Sequence, residues 1–291
     1  MSSPGSSDAR TAHGSFFVAA GGARVAVASV TNDPRVVERA HALGRSLGTV
    51  SLAPDAWTRA DVDVVALVDL DRLRLCDVSG RRAVCIDADF VGGRVGFRRH
   101  SRPTVRQPLA RAVGRSRGLR DVFDATGGLA RDAFLLACVG CRVRSVERSP
   151  LLAALVADGL RRARQRTDQE LAEIMRRLSF SQGDAREVLA GLAGADRPET
   201  VYIDPMYPQS GKSALPQKEM RLCRKIVGDD ADAGELFEVA RSVARRRVVV
   251  KRSPHAPPLE ASIATPPSIV CAGRKVRYDV YLVGGDGREP A

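Results

Sequence analysis

Asp121-Val122-Phe123-Asp124-Ala125-Thr126-Gly127-Gly128-Leu129-Ala130-Arg131-Asp132 is the stretch on which the fold turns. Its first four residues read as a short strand, its glycines as a tight turn, and Asp132 opens an apolar helix predicted to reach Val139. Strand, glycine turn and helix in that order begin a crossover unit of a parallel sheet. Downstream the alternation continues. Arg142–Glu147 reads as a second strand, and Pro150, suited to a first helical position, starts a helix with Leu151, Leu152, Leu155, Val156 and Leu160 at helical spacing. Further strands are expected near Leu178–Ser181, then at Thr200–Ile203, Arg247–Lys251 and Arg277–Val283, with a helix over Glu235–Ala244. The pattern predicts a doubly wound α/β domain over residues 121–291.

Upstream, short apolar runs at Val25–Val30, Val62–Asp69 and Ala83–Ile86 alternate with a helix over Pro34–Leu47, for which Asp33 is the expected N-cap. Residues 23–90 therefore read as a smaller α/β domain. Residues 1–22 are rich in Ser, Gly and Ala without the basic and apolar regions of a secretory signal, and read as a disordered tail. The longest apolar runs fall well short of the roughly 18 residues that a membrane-spanning helix needs. The six cysteines show no repeated spacing, and Cys138-x-x-Cys141 lacks the second pair that a zinc site requires, so reduced thiols, no metal and a cytoplasmic setting are expected.

Charge is distributed unevenly. Of the net +12, residues 1–90 contribute 10 Arg against 11 acids, whereas residues 91–120 carry nine Arg and no acid. This Gly- and Arg-rich segment reads as a basic linker with a short helix at Leu109–Val113. Because guanidinium pairs bidentately with phosphate, Arg94, Arg98, Arg99, Arg102 and Arg106, with Lys212 and Lys251 further on, are candidate RNA-binding residues.

In open α/β sheets, ligands bind beyond the carboxyl ends of the strands. Four such ends carry an acid: Asp124, Glu147, Asp184 and Asp204. Glu147 lies 23 residues after Asp124, where an acid can accept from both hydroxyls of a ribose. A dinucleotide needs a third glycine in the turn, which this sequence lacks, and Asp124 would repel a pyrophosphate. S-adenosylmethionine (SAM) carries a sulfonium and an ammonium but no phosphate, so the same acids favour it.

Tyr202-Ile203-Asp204-Pro205-Met206-Tyr207-Pro208 follows the fourth strand. An amino nitrogen conjugated to a base ring is a poor nucleophile. A site that methylates it should accept hydrogen bonds from its N–H groups, which the Asp204 carboxylate and Pro205 carbonyl can do, while Tyr207 offers a ring on which the base can stack. Ser210-Gly211-Lys212-Ser213 resembles the end of a phosphate-binding loop, but the required first glycine falls at Met206. His255 has no metal-ligand partner nearby in sequence, which favours a loop or substrate contact.

Taken together, residues 124–134, Val139-Gly140-Cys141-Arg142-Val143 with Glu147-Arg148, Asp204-Pro205-Met206-Tyr207-Pro208, Lys212-Ser213-Ala214-Leu215 with Lys218-Glu219-Met220-Arg221, and Arg247–Arg252 closely resemble the RsmJ family of bacterial small-subunit ribosomal RNA guanine-N2 methyltransferases. The resemblance covers about residues 85–282 and is poor before them. It implies a class I (Rossmann-like) SAM-dependent methyltransferase fold, SAM as donor, and ribosomal RNA or the small ribosomal subunit as partner. It also implies cofactor contacts at Arg131, Asp132, Glu147, Arg148, Asp184, Ala185 and Asp204, to which the strand-end reading adds Asp124, Thr126, Gly127 and Gly128. Ala130 stands where the family usually has glycine, and Asp184-Ala185 where it has small hydroxyl residues. The expected chemistry is direct in-line methyl transfer with Asp204, Pro205 and Tyr207 as catalytic residues. The alternatives are methylation of another RNA or DNA base amine, and a non-catalytic RNA-binding assembly factor.

Overall fold

The computed structural model describes residues 16–92, 99, 103–206, 218–259, 265–273 and 275–284. The upstream sheet comprises β1 (Phe17–Val18), β2 (Arg24–Ser29), β3 (Ser51–Leu52), β4 (Val64–Val68), β5 (Leu73–Asp77) and β6 (Val84–Ile86), in the order β1-β2-β4-β5-β6 with β3 beside β2. Helix α1 (Pro34–Leu47) is capped as predicted, with Asp33 Oδ1 accepting from the Arg35 N–H at 2.8 Å. β4 is buried along its whole length, which is why it reads as a continuous apolar run rather than an alternating one.

β5 was hidden in the sequence by its charges, Arg74 and Asp77, which alternate with buried Leu73, Leu75 and Cys76. Its antiparallel register with β6 sets Cys76 opposite Cys85, and the two form a disulfide. The expectation of six reduced thiols therefore fails for this pair: spacing alone cannot reveal a partner produced by a hairpin. Cys138, Cys141 and Cys223 carry thiols outside that disulfide, and Cys138-x-x-Cys141 contributes ordinary core thiols.

The downstream sheet contains β7 (Asp121–Asp124), β8 (Arg142–Glu147), β9 (Leu178–Gln182), β10 (Thr200–Ile203), β11 (Arg247–Arg252), β12 (Ile269–Ala272) and β13 (Arg277–Leu282). Its order is β12-β13-β11-β10-β7-β8-β9. β7 to β11 are mutually parallel, while β13 runs antiparallel to both neighbours. The chain winds outward from β7 through β8 to β9, then returns to the other side of β7 as β10. The order reverses between β7 and β10, and there a crevice opens at the carboxyl ends. The helices are α2 (Pro108–Ala112), α3 (Arg131–Cys138), α4 (Pro150–Arg164), α5 (Gln169–Arg177), α6 (Ala185–Ala190), α7 (Lys218–Val227) and α8 (Ala233–Val243). None among the described residues is long and apolar enough to cross a membrane.

The described end of the basic segment is packed rather than a loose linker. Leu109, Ala110, Ala112 and Val113 are buried, and Thr200 Oγ1 donates to the Val113 carbonyl at 3.0 Å. A single apolar core also runs through both sheets, joining Val64, Leu75 and Phe90 to Phe134, Leu151 and Val280.

Asp158 of α4 fastens this junction. Its carboxylate accepts from the Leu73 N–H at 3.0 Å, from Arg161 at 2.8 Å and Arg162 at 3.0 Å, and from Arg39 of α1. Burial alone would raise its pKa, but these donors outweigh burial and lower it. Asp158→Ala removes a buried acceptor from the Leu73 N–H and from the largely buried Arg162 and should cost about 1–3 kcal/mol in chemical denaturation; a loss below about 0.5 kcal/mol would show that these donors find other partners. Because the folded-state pKa lies below the unfolded value of roughly 3.9, this stabilisation is present above that pH and is lost as the pH falls through the folded value.

Candidate active site

The turn after β7 is shaped by how closely it approaches β8. The Gly127 N–H donates to the Val146 carbonyl at 2.8 Å, and a Cβ on Gly127 would stand 2.8 Å from Ser145 Oγ and 3.0 Å from Val146 O. Gly128 follows with φ +52°, a left-handed conformation that glycine adopts without strain. Ala130 adopts the same left-handed region at φ 53° while fully buried, a conformation that costs a residue with a Cβ more than it costs glycine.

Glu147 and Asp124 secure this turn from below. Glu147, 5% exposed, accepts from the Gly128 N–H at 2.6 Å and the Ser149 N–H at 2.7 Å. Asp124, 1% exposed, accepts from the Thr126 N–H at 3.2 Å and Ser145 Oγ at 3.0 Å. Burial raises the pKa of both, that of Asp124 to about 7. Asp124 therefore forms the floor of the crevice, and its two oxygens face protein donors.

Across the crevice, β10 and β11 deliver Asp204 and Lys251. The Lys251 ammonium lies 2.7 Å from Asp204 Oδ2 and 2.8 Å from Asp132 Oδ2, and the Tyr202 hydroxyl donates to the same Asp132 oxygen at 2.7 Å. Thr126 Oγ1 accepts from the Asp204 N–H at 2.7 Å, joining the β7 turn to the β10 end. Burial alone would lower Lys251, but Asp204 and Asp132 outweigh it and hold the ammonium charged. Withdrawal from water and the nearby Asp132 raise Asp204, and Lys251 opposes both. On balance Asp204 is raised from its ordinary value, chiefly by burial, while the Lys251 ammonium at 2.7 Å favours its charged form.

A chain of ion pairs braces the remaining strand ends. Arg148, after β8, pairs with Asp230 and, at 3.0 Å, with Asp232. Asp230 Oδ2 in turn accepts from the Met206 N–H at 2.6 Å, so Arg148 fixes the Asp204-Pro205-Met206 turn through one carboxylate. Arg186 joins Asp232 to Asp184, which caps α6 ahead of buried Ala185. Arg131, opening α3, reaches Glu219 of α7 at 2.9 Å, and Pro205 is buried beside Asp204.

Two expected RNA contacts require correction. Lys251 is enclosed by carboxylates inside the crevice, where it has a structural partner for its charge. Arg99 is 6% exposed and pairs with Asp168 at 2.5 Å, so its guanidinium serves the interior. Arg106 and His255 are exposed. Arg94, Arg98, Arg102, Tyr207 and Lys212, with the rest of the Ser210–Ser213 segment, lie outside the described residues. Sequence reasoning missed Tyr202, Ser145, Asp230, Asp232 and Arg186. Lys251 was legible in principle, because the strand-end rule that selected Asp204 applies equally to the neighbouring strand.

The turn makes a paired prediction. Gly127→Ala forces Ser145 or the Val146 carbonyl aside and should cost about 1–3 kcal/mol, the range for overpacking. Gly183→Ala, whose Cβ would meet nothing closer than 3.6 Å, should stay within about 0.5 kcal/mol of the parent. Equal losses in urea titrations would show that close approach to β8 does not select glycine.

The comparisons with known proteins agree with this geometry. The family model SAM_MT, for SAM-dependent methyltransferases, matches residues 56–283. Ribosomal RNA small subunit methyltransferase J from Thioalkalivibrio sulfidiphilus is 44% identical over 262 residues, covering 90% of this chain and 98% of that protein. That alignment must include residues before 85, so the similarity extends further upstream than the motifs indicated. The Escherichia coli O1:K1 protein of the same name is 47% identical over 198 residues, 67% of this chain and 76% of its own length. A crystal structure of a SAM-dependent methyltransferase from Neisseria gonorrhoeae matches with a TM-score of 0.65 at 28% identity, covering 89% of this chain and 96% of that one. The chain belongs to the ribosomal RNA small subunit methyltransferase J family of SAM-dependent methyltransferases.

Proposed function

We propose that this enzyme transfers the methyl group of SAM to the exocyclic N2 of a guanine in small-subunit ribosomal RNA, in the cytoplasm. The observation that carries the reading is Asp204, held by Lys251 through Oδ2 at the mouth of a crevice lined with carboxylates. The names of the relatives support the RNA substrate.

The residues suit SAM. Asp132 and Asp204, joined through Lys251, and Glu147 at the end of β8 all stand at the carboxyl ends of the strands, where SAM's cationic groups gain from negative charge and a pyrophosphate would be repelled. The turn at Gly127-Gly128 and the acid Glu147 would hold the nucleoside, with Asp132, Arg131, Arg148 and the Asp184-Ala185 pair around it. When bound, SAM supplies an electrophilic methyl on a sulfonium.

The chain's own contribution is placement. Lys251 occupies Asp204 Oδ2, which leaves Oδ1 to accept an N–H from the base amine. The Pro205 carbonyl offers a second acceptor. Two acceptors turn the amine's lone pair toward the donor methyl. The surplus proton of the methylated amine leaves past the partly exposed Asp204 to water.

Single-turnover assays on deproteinised small-subunit RNA at saturating SAM test this reading. Asp204→Ala should lower methyl transfer by on the order of 10²-fold or more, as when one transition-state-aimed polar group is removed. Asp204→Asn, which keeps one acceptor oxygen, should retain more activity than Ala. Near-parental activity in the alanine variant would reduce the motif to a turn. Lys251→Met removes the cation that opposes protonation of Asp204, so the acid limb of the pH–rate profile should move to higher pH. An unmoved limb would remove Asp204 ionisation from the mechanism.

A further inference from the structure

The arginines of the basic segment do not all face the crevice. Parallel strands begin at one end of the sheet, so the topology gathers residues far apart in sequence at the end opposite the site. The segment 111–120 carries Arg111, Arg115, Arg117 and Arg120 and no acid, and it leads into β7. Arg142 opens β8, where its N–H donates to the Arg120 carbonyl at 2.7 Å. Arg245 and Arg246 precede β11; their N–H groups donate to the Pro198 and Glu199 carbonyls just before β10, at 2.9 and 3.0 Å.

Of the acids at this end, Asp196 is exposed before β10, while Glu199 and Asp121 are already engaged. Glu199 Oε2 accepts from the backbone N–H of Arg120 at 2.8 Å and of Asp121 at 2.9 Å. Asp121 is 5% exposed and lies 3.5 Å from Arg142 and 3.6 Å from Arg144. Arg111, Arg120 and Arg246 are exposed, with no side-chain partner among the described residues, and Arg142 is 72% exposed. Crowding like charges without counter-charges opposes folding, and a polyanion removes that cost on binding. Guanidinium groups match phosphate in geometry as well as sign.

We propose that this amino-end face of the sheet, centred on Arg111, Arg120, Arg142 and Arg246, is a second RNA-binding surface that grips the phosphate backbone of folded ribosomal RNA. The inference rests on the RNA substrate proposed above. Strands of four to six residues at about 3.3 Å each separate it from the crevice by roughly 13–20 Å. It therefore engages a segment of RNA other than the one that carries the target base, and it favours a large folded substrate over a short stem–loop.

The test compares the parent with the triple variant Arg111→Ala, Arg120→Ala, Arg246→Ala, whose side chains leave no acid stranded. Binding to deproteinised small-subunit RNA should weaken about tenfold or more, and its log–log salt slope should fall by about 2 to 3, at roughly 0.7–0.9 per lost phosphate contact. SAM affinity and methyl transfer to a short stem–loop around the target guanine should match the parent, and the unfolding midpoint should be no lower than the parent's, because removing crowded like charges does not destabilise the fold. An unchanged slope with the whole RNA overturns the proposal. So does an equal fall in slope with the stem–loop, because the face would then act by general attraction. If the parent methylates neither RNA, the proposed substrate falls, while the surface is still decided by whether the variant flattens the salt dependence of binding.

Discussion

The Lys251 ammonium, 2.7 Å from Asp204 and 2.8 Å from Asp132, ties the ends of β10 and β11 to the first turn of α3. That cation offsets the repulsion between two carboxylates that share one crevice with the Tyr202 hydroxyl. With it, one oxygen of Asp204 is fixed and the other is directed outward. The glycine turn depends on the same arrangement, because Thr126 Oγ1 receives the Asp204 N–H and Gly128 leans on Glu147. Cofactor turn and acceptor motif thus form one hydrogen-bonded unit across the switch point of the sheet.

The sheet divides labour between its two ends. At the carboxyl end, acids dominate, and the arginines there, Arg148 and Arg186, are held by Asp184, Asp230 and Asp232. This suits a cationic methyl donor. At the amino end, arginines dominate, Asp121 is buried and Glu199 is turned to backbone N–H groups, with Asp196 exposed among them.

Much of this was legible in the sequence because it follows from local pattern. β7, β8 and β10 have the predicted bounds, and Asp33 caps α1, since short-range spacing and capping chemistry specify them. The four strand-end acids were found by one rule about where ligands bind. What escaped depends on pairing between distant segments. The Cys76–Cys85 disulfide needs the β5–β6 register, the burial of Arg99 needs Asp168, and the place of Lys251 needs the neighbouring strand. Charge counts identified the basic segment but could not assign its members, because a guanidinium in a row of sequence looks the same whether it faces a phosphate or a buried aspartate. Helix α5 was legible in principle, because Leu171, Ile174 and Met175 are buried at helical spacing, whereas the four residues of β12 are too few to set a period.

The central claim is that a carboxylate fixed by lysine presents an acceptor to the amine of a guanine in ribosomal RNA. Nucleoside mass spectrometry of small-subunit RNA methylated by the purified enzyme with isotopically labelled SAM tests it most directly. The account predicts label in N2-methylguanosine at a single site, absent when Asp204→Ala replaces the parent. Label in a methylated adenine or cytosine, or in none of the nucleosides, would contradict it.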